Sequence, residues 1–248
     1  MSDPREILRT EFERAAATFG ERTKGRFDDL NVVDFARVQG GERVLEMGAG
    51  TGNFLQLFRD HASGLIALDL TPGMLIQGRA AHPDMQPVIA DGARLPFGTR
   101  SVELVASAQA LHHVAEPLRV ITEMRRVSSS RVLIVDQVAT DRYEEAVMLN
   151  KLEILRDPSH AASRPPSIFR MLVRRAGLEL LDERIVEVEQ RLSNWMWPGE
   201  FPVERIDRVR SFIDQHGDET GLHFERDGND RVFTRERMML LAASTPPV

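Results

Sequence analysis

Five short apolar runs recur between residues 43 and 136: RVLEM (43–47), LIALD (65–69), PVIAD (87–91), VELVAS (102–107) and RVLIVD (131–136). Each is rich in Val, Ile and Leu and bounded by Gly, Pro or Asp, as strands buried on both faces are. Helical patterns at 53–61, 72–81 and 117–127 separate most of them. Parallel strands need crossovers, and crossovers in one sheet are right-handed. The repeat therefore predicts a doubly wound α/β sheet.

The pattern changes after Asp136. A helix is expected over 141–156, a loop at DPSHAASRPP, and a second helix in SIFRMLVRRAG ending at Gly177. LELLDERIVEVEQ reads as a long strand, NWMWPGEFP as a loop and 203–216 as a helix. FERDGNDRVFTRERMMLLAAS reads as a hairpin around Asp227-Gly228 that returns as the last strand. The first forty residues read as helices outside the sheet. The expected organisation is thus a helical lid at 1–40, a cofactor-binding core at 41–140 and substrate-side elements of the same domain at 141–248.

Composition narrows the function classes. The chain of 248 residues carries a net charge of −6, so as a whole it has no electrostatic footprint for nucleic acid or anionic lipid. It has no cysteine, which excludes disulfides, thiolate metal sites and a cysteine nucleophile. The N-terminus is charged and lacks a signal-peptide core, and no apolar run approaches the ~18 residues of a membrane helix. A soluble, cytoplasmic chain without a membrane span is expected.

The first strand runs into a glycine bend, VLEMGAGTGNF (44–54). In a doubly wound sheet, ligands sit beyond the carboxyl ends of the strands where strand order reverses. A dinucleotide fingerprint needs glycines at positions one, three and six. Here Gly48, Gly50 and Gly52 are followed by Asn53, and Glu46 precedes them. A carboxylate at the strand end repels a pyrophosphate and attracts an ammonium group. No Gly-Lys-Ser/Thr follows, so the phosphate-loop pattern also fails. The ligand that fits has a nucleoside half and a cationic half, without phosphates. Asp69, ending the second strand, is positioned for ribose hydroxyls, and Asp91, ending the third, for an adenine amino group. SAQALHHV brings two histidines to the same edge.

Four motifs in order, LEMGAGTG, LDLTPGML, ADGARLPF and ASAQALHHV, make residues 43–136 resemble the class I S-adenosylmethionine-dependent methyltransferases. Within that class the chain looks most like the small-molecule ubiquinone and menaquinone C-methyltransferase group. The resemblance implies a Rossmann-like methyltransferase fold with a mostly parallel seven-stranded sheet. It implies S-adenosyl-L-methionine as cofactor and S-adenosyl-L-homocysteine as product, with a small-molecule methyl acceptor. By resemblance Glu46, Gly48, Ala49, Gly50 and Gly52 line the methionyl part, and Asp69 holds the ribose. Leu70 and Met74 pack near the adenosine, while Asp91, Gly92 and Ala93 frame the adenine. Ser107, Ala108 and His113 lie near the methionyl amine and sulfonium. One departure is visible: the family has a glycine turn before the fifth strand, where this chain reads MRRVSSSR.

Catalytic candidates are fewer. His113 is either a pocket-lining base or a structural hydrogen-bonding group, and His112 reads as structural. No metal site is expected, because consecutive histidines on a helix point to different sides. Asp157 and His160, three apart in RDPSH, are either a base with its orienting carboxylate or part of a packed loop. Arg164, Arg170, Arg174 and Arg175 read as a solvated helix face rather than an anion site. Trp195 and Trp197 line a substrate pocket or pack on the last strands, and Phe12, Phe19 and Phe27 suggest the lid. Two rivals to methyl transfer share part of these signals. One is a cofactor-binding module or cyclase of the same fold; the other, disfavoured by Glu46 and Asn53, is an NAD-dependent oxidoreductase.

Overall fold

The computed structural model describes residues 3–196 and 201–244. Eight strands form one sheet: β1 (Arg43–Met47), β2 (Gly64–Asp69), β3 (Met85–Ile89), β4 (Val102–Ala108), β5 (Ser128–Gln137), β6 (Glu179–Arg191), β7 (His223–Asp227) and β8 (Asp230–Ala243). Seven lie in the order β3-β2-β1-β4-β5-β8-β6, and the short β7, an eighth strand beyond the seven expected, pairs with β8 off that path as the first arm of the hairpin at Asp227-Gly228. The first five pair in parallel, whereas β8 is antiparallel to β5 and to β6. Strand order reverses between β1 and β4, the crevice where such sheets bind ligands.

The helices are α1 (Pro4–Thr23), α2 (Val32–Ala36), α3 (Pro72–Ala81), α4 (Pro117–Val127), α5 (Tyr143–Arg156), α6 (Pro166–Arg175), α7 (Leu192–Trp195) and α8 (Val203–His216). One face of the sheet buries Leu45, Val105 and Ile134 against Ile121 and Met124 of α4 and Phe169 and Val173 of α6. The other buries Val44, Leu104 and Leu133 with Phe35 of α2, Phe58 and Leu75 of α3. Because both faces are covered, β1 and β4 are buried almost throughout, as their unbroken apolar runs require. The edges differ: β3 carries Pro87, which an edge strand tolerates, and β6 alternates in charged residues.

Two local expectations are revised. The helix expected over 53–61 is a single 3-10 turn, Leu55–Phe58. Backbone bonds there close three residues back, Leu57 to Phe54 and Arg59 to Gln56, while Phe54, Leu55 and Phe58 all face the core. Asn53 is pinned from outside, donating from its amide to the Gly20 carbonyl (2.7 Å) and to Thr23 Oγ1 (2.8 Å) of α1. At MRRVSSSR no turn is needed: α4 ends at Val127 and β5 begins at Ser128. Ser128 Oγ donates to the Arg131 carbonyl at 2.8 Å, and the pairing with β4 shifts between Val102 and Leu104.

α1 lies across the carboxyl edge of the sheet. Asp3 caps it by accepting from the Arg5 N–H at 3.0 Å, and Pro4 occupies its first turn. Glu13 accepts from the Gly73 N–H at 3.1 Å, tying α1 to the start of α3. On α3, Gly78 packs directly on the glycine bend; a Cβ there would stand 2.7 Å from the Thr51 carbonyl oxygen. Gly78→Ala is therefore expected to destabilise by about 1–3 kcal/mol despite alanine's better helix propensity, because backbone must move. Urea unfolding of the variant checks the sign.

Candidate functional site

A cavity of about 920 Å³ runs along the carboxyl edge beneath α1. Its lining follows the sheet. Asp91, Gly92 and Ala93 come from beyond β3, Asp69 and Leu70 from β2, and Glu46 and Gly48 to Thr51 from β1. Ala108, Gln109, His112 and His113 follow β4, and Gln137, Arg235, Arg237 and Val188 come from β5, β8 and β6. α1 contributes Arg5, Leu8, Phe12 and Phe19 as the roof.

The bend is shaped by backbone. Gly48, Gly50 and Gly52 take φ of 73°, 54° and 82°, the left-handed region open to glycine. At Gly48 a Cβ would stand 2.5 Å from that of Ala110. The Gly48 and Ala49 N–H groups both donate to the Leu68 carbonyl, at 2.8 and 3.0 Å. Asp69 then fixes the loop, Oδ2 accepting from the Gly50 N–H and Oδ1 from the Thr71 N–H, each at 2.8 Å. The same carboxylate lines the cavity, where it can accept from a ligand as well.

Glu46 is 1% exposed and its Oε2 has no partner. Burial, with the Asp69 carboxylate adding to it, pushes its proton affinity well above the usual range, against the pull of the Leu55 N–H. Burial likewise raises Asp69, restrained by the Gly50 and Thr71 N–H groups. Two buried acids at the strand ends favour a cation between them. Asp91 accepts from the Ala93 N–H at 2.9 Å and pairs with Arg5 of α1 at 2.9 Å.

On the other side of the crevice, His112 is buried against Asp136, Nδ1 to Oδ1 at 2.6 Å, and donates its backbone N–H to Oδ2. His113 lines the cavity with its ring against Phe12. Its Nδ1 lies 3.2 Å from the Ser159 carbonyl oxygen and 3.1 Å from Ser159 Oγ. Ser159 Oγ already donates to Asp157 Oδ1 at 2.6 Å, so both contacts call for a proton on His113 Nδ1. Nε2 is then the basic nitrogen. Burial, with His112 beside it, pulls His113 down to about 4 against the opposing charge of Asp157, so the imidazole is neutral at physiological pH.

Most of the expected cofactor residues line the cavity, but Gly52, Met74 and Ser107 do not. Gly52 faces Met85, where a Cβ would stand 2.5 Å from the sulfur, so its role is packing. Met74 is fully buried against Ala15 and Ala16 of α1. Ser107 is buried on β4 with Oγ unpartnered. His160 also lies outside the lining: its Nε2 accepts from the Ser163 N–H at 3.0 Å and lies 2.9 Å from Asn150 Oδ1. Asp157 does not orient His160, as its spacing suggested, but reaches His113 through Ser159. Arg164 is spent on the Leu111 and Val114 carbonyls, and Arg170 on Glu183. Trp195 does both expected jobs, lining the cavity and packing on Phe233, whereas Trp197 lies outside the described residues.

Four cavity groups had no counterpart in the sequence reading. Gln109 holds φ of 52° at the end of β4, a strained position for a side-chain-bearing residue, with its amide nitrogen unpartnered. Arg156, Arg235 and Arg237 line the far end. The signal for the last two was present, because they share strand parity with Phe233, Met239 and Leu241, where charge is unexpected.

A family model described as a methyltransferase domain matches residues 45–135. This core is that of a class I S-adenosylmethionine-dependent methyltransferase. The demethylmenaquinone methyltransferase of Renibacterium salmoninarum is 36% identical over 97 residues, 39% of this chain and 41% of that protein. The chain thus spans under half the length of that relative. YcgJ of Bacillus subtilis, named an uncharacterized methyltransferase, is 24% identical over 85% of this chain and 87% of its own. Its crystal structure superposes with a TM-score of 0.80 over 88% of this chain and 97% of that one, at 21% identity. Phosphoethanolamine N-methyltransferase 2 of Haemonchus contortus, solved with S-adenosyl-L-methionine, gives 0.65 at 13% identity, covering 98% of this chain and 60% of its own. These structural likenesses are likenesses of fold. No helix among the described residues is long and apolar enough to cross a membrane.

Beyond the methyltransferase core, Glu153 of α5 ties the far end of the cavity together. It is fully buried and accepts from Arg156 Nε at 3.1 Å and Arg235 Nη1 at 2.8 Å. Burial raises its proton affinity, but the two guanidiniums prevail and hold it well below the usual range. Its contribution to stability is therefore complete above the unfolded carboxyl's value and is lost as pH falls through the folded one. Glu153→Gln is expected to cost about 3–5 kcal/mol at neutral pH, since it strands buried cations. In urea unfolding the gap from the parent chain should stay constant above about pH 5 and narrow below it.

Proposed function

We propose that the protein is a methyltransferase that binds S-adenosylmethionine along the β3–β1 side of the cavity and methylates a small molecule held on the β4–β8 side. The observation that carries this reading is the row of carboxylates at successive strand ends: Glu46, Asp69 and Asp91 on one cavity wall. The donor chemistry fits a nucleoside bearing a cation. Asp69 lines the cavity where its carboxylate can accept from vicinal hydroxyls, and Asp91 lies where an amino group on a base can donate. Glu46 offers a buried free oxygen to an ammonium group, which repels nothing there as a phosphate would.

When bound, S-adenosylmethionine supplies an electrophilic sulfonium methyl that leaves a neutral thioether on in-line attack. The chain's own contribution is then orientation, water exclusion and proton handling. Holding the acceptor in line is worth ~7–11 kcal/mol of barrier at most. Phe12 and Phe19 cover the crevice, keeping it dry. Neutral His113, its Nδ1–H held by Ser159, presents Nε2 to take the proton of a hydroxyl or activated carbon acceptor. The overall charge of −6 favours a small acceptor over a nucleic acid.

Asp69→Ala is expected to weaken S-adenosylhomocysteine binding at least about a hundredfold, losing both ligand bonds and the loop anchor. Isothermal calorimetry reads this; full affinity in the variant removes the assignment. Tight NADH binding in a parallel fluorescence titration would favour the oxidoreductase. Release of S-adenosylhomocysteine with a candidate acceptor separates methyl transfer from binding alone.

His113→Gln is expected to lower kcat by about 10²–10⁴ with cofactor affinity unchanged. For the parent enzyme the rate should be flat above pH 6 in this group and fall as pH drops toward about 4. A rate that falls instead between pH 7 and 6 would remove His113 as the base.

A further inference from the structure

Arginines crowd the end of the cavity farthest from Asp91. Arg235 and Arg237 project from β8 on the face that also carries Phe233 and Met239, and Thr234 and Glu236 between them are exposed. Arg235 and Arg237 themselves are 4% and 3% exposed. The antiparallel pairing of β8 with β5 sets Arg237 opposite Gln137, at the carboxyl end of β5. Arg156 of α5 and Arg26, just beyond α1, complete the group on the same cavity.

Their partners do not balance them. Glu153 serves Arg156 and Arg235 together. Arg235 still has Nε and Nη2 buried with no partner. Arg237 donates from Nη1 to the Arg26 carbonyl at 2.9 Å and lies over the Phe27 ring at 5.2 Å, neither a counter-charge. Of the other carboxylates nearby, Asp136 is committed to His112 and to the Gln137 N–H, and Asp157, whose charge also reaches Arg156, accepts from the Ser159 N–H and Oγ. Burial and mutual repulsion pull Arg26 and Arg237 down to about 10, so both stay charged at neutral pH. Four guanidiniums thus face one dedicated carboxylate. The cofactor of the proposed function brings one carboxylate of its own, and a positive excess remains after it.

An excess of buried cation is costly to the fold and is met when a ligand supplies the anion. We propose that Arg235 and Arg237, with Arg156 beside them, bind an oxyanion group of the methyl acceptor, a carboxylate or a phosphate. The planar guanidinium fork matches either in a bidentate fashion. Trp195, under the Arg156 guanidinium at 4.6 Å, and Phe27 give the acceptor's body apolar walls. The proposal rests on the methyl-transfer reading for the word acceptor, not for the anion site itself. It also separates this chain from a neutral quinol acceptor.

The test uses the full chain saturated with S-adenosylhomocysteine, so that the cofactor's carboxylate is already in place. Benzoate, phenyl phosphate and neutral benzyl alcohol are titrated at constant ionic strength and followed by thermal unfolding and calorimetry. Benzoate or phenyl phosphate is expected to bind and raise the midpoint, and benzyl alcohol is not; whichever anion binds tighter names the source. Arg235→Gln and Arg237→Met should each weaken the anion about tenfold to a hundredfold while keeping S-adenosylhomocysteine affinity. Without ligand, Arg237→Met should unfold about 2–4 °C higher, since an unpaired buried charge is gone. A parent chain indifferent to both anions overturns the proposal, as do variants that respond like the parent or an Arg237→Met that unfolds lower. Variants that lose S-adenosylhomocysteine affinity assign these arginines to the cofactor and overturn it too. If the parent does not bind S-adenosylhomocysteine, the methyl-transfer reading fails, and the same titrations without it still decide the anion site. Should Arg235→Gln not fold, Arg237→Met carries the comparison.

Discussion

One carboxylate holds the working edge of the molecule together. Asp69 ends β2 yet accepts from the Gly50 N–H in the loop after β1 and from the Thr71 N–H ahead of α3. Without it, three glycines in the left-handed region would have little reason to keep one conformation. The same side chain lines the cavity, so the group that sets the loop also forms part of its wall. Loop shape and ligand chemistry are coupled through a single side chain, and Gly78 presses α3 against the same bend from outside.

The β4–β8 side of the cavity is built on a different principle. There the walls are buried polar pairs: His112 hydrogen-bonded to Asp136, and Arg156 and Arg235 on Glu153. Such pairs add little to stability compared with packed hydrocarbon, and they are more often found where specificity is needed. Phe233 and Trp195 pack beside them, so the charges sit in a low-dielectric surround in which directional contacts matter most.

How much of this was legible in the sequence follows from locality. The strands and the glycine bend are written in contiguous residues, and Glu46, Asp69 and Asp91 are found simply by reading to the end of each strand. The 3-10 turn at Leu55–Phe58 was not legible, because Asn53 is held by residues of α1 that lie 30 and 33 positions earlier. The spacing of Asp157 and His160 allows a local pair, but the loop turns Asp157 toward His113, 44 positions earlier in the chain, with Ser159 as the intermediary. The arginines on β8 were overlooked for the opposite reason. Their parity broke a hydrophobic alternation in plain view, but a strand's buried face reveals itself only once its neighbours are known.

The two rims of the sheet close it to growth. On β3, Pro87 has no N–H to offer a further strand, and β6 carries an excess of acidic side chains, Glu179, Asp182, Glu183, Glu187 and Glu189, that oppose an approaching copy. A second molecule therefore finds a poor template along either border, while the antiparallel β8 is enclosed by three partners, β5, β6 and β7.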